Sequence, residues 1–203
     1  MRRLDLPPAF ARYREIGGVL EFAAFSDMQG DRESALNAIE ALLPDINRNE
    51  LRQLSYRVID KATFLGDWYD ERADSLVARG AYTLFDGREL VDPYLREFDV
   101  SPPRMAALDL PPLGAGGNFA YPFCRTPYGM RGTRSDIEAL FRLICDFLMP
   151  PGEENAIFDW TSPELPRVSK YFEIGMEWWG VFLFTIFVPG RNQLSVVAGS
   201  TSD

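Results

Sequence analysis

Between Glu177 and Pro189 the chain reads WWGVFLFTIFV, eleven residues from Trp178 to Val188 without a charge. A stretch this apolar has to be hidden from water, and the way it is hidden constrains the fold more than any other feature. It falls short of the roughly 20 apolar residues that a membrane-spanning helix needs. Its Trp, Val, Phe, Thr and Ile content suits a strand. Alternation predicts Trp178, Phe182, Phe184 and Ile186 on one face, with Gly180 among them, and Trp179, Val181, Leu183 and Phe187 on the other. Both faces are apolar, so a central strand covered on both sides is expected. Left open, the same run would invite aggregation. Pro189-Gly190-Arg191-Asn192 reads as a turn, and QLSVVAGS as the antiparallel return.

Covers for such a strand are legible upstream. GDRESALNAIEALLP places Leu36, Ile39, Leu42 and Leu43 at helical spacing, with Asp31 as N-cap and Pro44 as stop. Asn47 followed by Glu50 reads as a capping box, and Leu51, Leu54, Val58, Ala62 and Leu65 then recur as one stripe. Periodicity resumes after Gly66 through Trp68, Tyr69, Leu76 and Val77, until Gly80 supplies a stop. AYTLFDGRELV reads as a hairpin about Asp86-Gly87. From residue 99 to 132 prolines and glycines dominate, as in a long irregular connection. Ser135 and Glu138 read as a second capping box, opening a helix that buries Ile137, Leu140, Phe141, Ile144 and Leu148. IFDW at 157–160 reads as a further strand.

The expected class is therefore α+β: a predominantly antiparallel sheet with a C-terminal hairpin at about 178–199, covered by helices at about 32–43, 48–79 and 135–149. The 203 residues suit one domain, 1–203. Within it, a helical N-terminal part (1–98), the connection (99–132) and a helix-plus-sheet part (133–203) are distinguishable by composition.

Histidine is absent, which removes Ser-His-Asp and Cys-His catalysis and His-based zinc sites. Cys124 and Cys145 are the only cysteines and form no C-x-x-C. MRRLDLPPAFARYREIGG has no continuous apolar segment behind its arginines, so a cytoplasmic chain with reduced thiols is expected. The formal charge of -9 argues against a nucleic-acid partner, whose phosphates call for Lys and Arg, and is compatible with a basic protein partner.

The best carboxylate grouping is DWYDERAD. On a helix, Asp67, Asp70, Glu71 and Asp74 share one face and have the oxygen chemistry to hold Mg²⁺ or Mn²⁺. The same wheel sets them opposite Leu65, Trp68, Tyr69, Ala73 and Leu76, as on a solvated face. GAGGN at 114–118 lacks the spacing of a phosphate cradle. NFAYPFCRTPYGMRGTR interleaves aromatics with Arg125, Arg131 and Arg134, and in so acidic a chain reads as a packed loop whose arginines meet local acids. Arg125 next to Cys124 is a feature that lowers thiol pKa values. Trp178-Trp179 cannot form one aromatic platform on a regular strand.

No cofactor and no metal is called for by these residues. In size and charge alone the chain is similar to the small acidic cytosolic α+β domains that neutralise bacterial toxins. The leading expectation is a non-catalytic protein-binding domain. A metal-dependent hydrolase using Asp67, Asp70, Glu71 and Asp74 is the alternative. A structural domain forming a homo-oligomer through aromatic surface near the C-terminal hairpin is the third reading.

Overall fold

The computed structural model describes residues 1–66, 68–76, 81–84, 89–91, 105–108, 119–176 and 179–201. Its centre is a six-stranded sheet, ordered β1 (Arg2–Arg3), β2 (Glu21–Ser26), β11 (Gln193–Ser200), β10 (Val181–Val188), β9 (Ala156–Asp159), β3 (Arg57–Ile59). Every pairing in it is antiparallel. Strands from both ends of the chain thus share one sheet.

The uncharged run supplies β10, which lies inside the sheet between β9 and β11. Seven of its eight residues are buried, so both faces are covered. At the end of β10, residues 189–191 form a single 3-10 turn and Asn192 takes a left-handed conformation (φ 47°), reversing the chain into β11. The eight-residue register runs from Val188↔Gln193 to Val181↔Ser200. Asparagine tolerates that conformation because its short amide bonds locally.

Phe182, Phe184 and Ile186 face one core, Val181 and Leu183 the other, as alternation requires. Trp179 departs from the pattern. It packs beside Phe182, ring centroids 5.3 Å apart, rather than with Val181. The cause is Gly180, whose φ of 115° breaks the extended geometry before β10 begins, so parity cannot be counted back through it.

Helices lie on both faces. On the first are α1 (Pro8–Glu15), α4 (Lys61–Leu65), α5 (Ala120–Cys124) and α6 (Arg134–Leu148). On the second are α2 (Arg32–Leu42), α3 (Arg48–Gln53) and α7 (Leu165–Val168). Asp31 caps α2 by accepting from Ser34 N–H at 2.8 Å. In α6 the five expected core residues are all buried, but the capping box sits two positions earlier than Ser135–Glu138. Thr133 Oγ1 accepts from Asp136 N–H, and Asp136 accepts from Thr133 N–H, because Thr133 is the last residue with extended backbone.

The continuous helix expected over 48–79 is not formed. α3 ends at Gln53, β3 follows, Asp60 caps the short α4, and Gly66 (φ 75°) closes it. β4 (Tyr69–Asp70) and β5 (Ser75–Leu76) then make a small hairpin. The apparent stripe was two half-stripes. Leu51 and Leu54 enter the second core, Leu65 the first, and Val58 between them is 69% exposed. The chain crosses from one face of the sheet to the other at β3, and a single helix cannot serve both faces. The strand β2 was likewise absent from a reading of the first half as helical: EFAAFS is short, and its burial on both faces erases alternation.

Asp86-Gly87 and GAGGN lie outside the described residues. The strands either side of the former, β6 (Ala81–Leu84) and β7 (Glu89–Val91), pair antiparallel, with β8 (Met105–Leu108) on the other side of β6. The segment 99–132 is therefore not irregular throughout: it contributes β8 and α5.

Candidate functional site

The carboxylates singled out by the sequence do not share a helical face, because residues 69–76 form a hairpin. Asp67 lies outside the described residues. Asp70 is half-buried, and its Oδ1 accepts from the N–H groups of Arg72 (2.9 Å) and Ala73 (3.2 Å), a local turn bond. Asp74, left-handed at φ 46°, accepts from the Tyr69 hydroxyl at 2.5 Å and pairs with Arg142 of α6 at 2.9 Å. Arg142 also donates to the Asp74 carbonyl at 2.9 Å, so one guanidinium ties the hairpin tip to α6. Burial, reinforced by Asp74, pushes the Tyr69 hydroxyl well above its ordinary range and keeps it a neutral donor. Glu71 is exposed. Among the described residues no group of three or more Asp, Glu, Cys or His comes together as a metal would require. The described residues of the hairpin thus bring no such ligand set together.

Neither thiol is poised to react. Cys124 Sγ donates to the Ala120 carbonyl at 3.0 Å, and burial pushes its pKa up to about 12 despite the neighbouring Arg125. The activation expected from that arginine is outweighed by desolvation. Cys145 is shifted in the same direction, again mainly by burial. Both cysteines are free. Trp179 Nε1 donates to the Arg125 carbonyl at 2.5 Å, so this indole anchors a loop. Trp178 lies outside the described residues.

Of the arginines in the 118–134 segment, Arg134 meets a local acid as expected, whereas Arg131 reaches a backbone carbonyl far along the chain. Arg131 Nη2 donates to the Glu15 carbonyl at 3.2 Å, and Arg134 Nε to Glu138 at 3.0 Å. Pairing of arginine with acid recurs over the surface: Arg12 pairs with Glu15, Arg14 with Glu21, Arg48 with Glu40, Arg167 with Glu164 and Arg191 with Glu153. Meanwhile Asp45, Glu71, Asp146, Glu154 and Glu173 are exposed and make no side-chain hydrogen bond or ion pair among the described residues. Much of the positive charge is held in pairs, Arg2, Arg3, Lys61, Arg72 and Lys170 being exposed without an ion pair among the described residues, and the net charge of -9 leaves negative charge in surplus.

Sequence reasoning missed one surface. Val58, counted into a buried stripe, stands exposed on the outermost strand of the sheet. A strand was legible there in Arg57-Val58-Ile59, β-branched and followed by the cap Asp60 with Thr63 three residues on.

These features define an α+β protein with a fully antiparallel central sheet between helical layers. No family model matches the chain, and no curated protein or solved structure matches it. No helix among the described residues is long and apolar enough to cross a membrane.

Proposed function

We propose that this chain is a non-catalytic cytoplasmic binding protein that engages a basic partner protein through its acidic surface. Neutralising a toxin is one concrete form of that role. The observation that carries the reading is the asymmetry of the surface charges. Many arginines are held in pairs with neighbouring carboxylates while acids such as Asp45 and Glu173 stand free, and the net charge of -9 leaves the acids in excess. Surface pairs of this kind add little stability, about 0–1 kcal/mol each. Their larger effect is on the exterior field, which attracts a cationic protein and speeds encounter.

The test is retention of a partner from lysate by the tagged chain, beside an acidic control protein of equal charge. Specific retention is expected, weakening as salt shortens the Debye length below about 10 Å, and falling in the double variant Asp45→Lys, Glu173→Lys. Equal retention by the control would sink the proposal.

A further inference from the structure

We draw no further inference here: the strongest candidate, the cavity of about 440 Å³ between α1 and β2 that Leu6, Phe10, Leu20 and Phe22 line, carries none, because its two charged lining residues, Arg14 and Glu15, are already paired with Glu21 and Arg12 and nothing in the structure shows what would occupy it.

Discussion

The two sides of β10 are built from different materials. On one side rings interlock: Phe64 stacks on Phe119 at 4.8 Å, Phe119 on Phe141 at 5.6 Å, and Phe184 meets Phe64 edge-on at 5.1 Å. On the other, Ala23, Ala35, Ala38, Val196 and Ala198 form a surface of small groups. The covers differ to match. Small residues let α2 lie along β2 and β11, with α3 and α7 beside it, whereas the ring side is covered by α1, α4, α5 and α6. Large planar groups fill irregular volume that Ala and Val would leave empty, and edge-to-face and offset contacts add about 0.5–1.5 kcal/mol per pair. A core can thus be small-grained where a helix lies along the sheet, as α2 does, or irregular and aromatic, as beneath α1, α4, α5 and α6.

The sharpest way to break this comparison is to truncate neighbours on one strand that point to opposite sides. Phe184→Ala is expected to destabilise by about 3–5 kcal/mol, since its partner rings are fixed by other rings and cannot collapse into the cavity. Leu183→Ala is expected to cost about 2–4 kcal/mol, at the lower part of the range for such changes, because the smaller side chains around it can relax. Denaturant unfolding of both variants checks the order. A larger loss at Leu183 would mean that the aliphatic side is the more rigid.

Trp160 is the largest ring of the second core, which also buries Phe25 and Phe172, and polarity explains its place. Its Nε1 donates to Thr185 Oγ1 at 2.9 Å, and both residues are at most 1% exposed. Arg32, which donates to the Arg52 and Leu54 carbonyls at 2.8 Å each, lies 5.5 Å from the rings of Tyr56 and Trp160. Trp160→Phe leaves the Thr185 hydroxyl without its donor and is expected to cost about 1–3 kcal/mol. Adding Thr185→Val should recover a good part of that loss in a double-mutant cycle. No recovery would show that the indole acts by volume alone.

The two thiols sharpen the comparison further, since both pack against the aromatic side. With Cys124 pushed up to about 12 and Cys145 raised in the same direction by burial, native protein should react slowly with a thiol reagent and show no rise between about pH 7 and 9, where a free thiol ionises. Both should react at once on unfolding. Fast native labelling of Cys145 alone would show that the packing around α6 opens.

These contrasts also explain what could be read from the residues. The buried strand, its returning hairpin, α2 and α6 were legible because each is long enough for its own pattern to repeat. The 48–79 segment was not, because its elements are two to six residues long and the chain changes faces at β3, so a stripe counted along it mixed two cores. Gly180 hid the side of Trp179 for a related reason: parity holds only while the backbone stays extended. For the candidate site, acidity was legible as composition. Which acids stand free was not, since Asp74 is held by Arg142 from a helix far along the sequence, and Glu71 is not. The open edge at β3 depends on which strand has no outer neighbour, a property of topology with no signature in the strand itself.

The smallest expected effect compares the caps of the two main helices, one on each side of the sheet. Asp31 of α2 is held below the ordinary carboxylate range by the Ser34 backbone and side chain. Asp136 of α6 is lowered by the Thr133 hydroxyl and then its N–H, at 2.8 and 3.1 Å. A carboxyl whose folded pKa is depressed contributes stability that is present above its unfolded pKa and lost as pH falls through the folded one. Melting temperature should therefore hold from neutral pH to about pH 4 and decline below it. Asp136→Asn should flatten that decline more than Asp31→Asn, because the Asp136 charge is stabilised by Arg12 in addition to two Thr133 donors, whereas Asp31 has its two Ser34 donors and no cation acting on it among the described residues. Equal acid limbs in the two variants would mean that cap charge is interchangeable between the sides, and that their difference lies in packing alone.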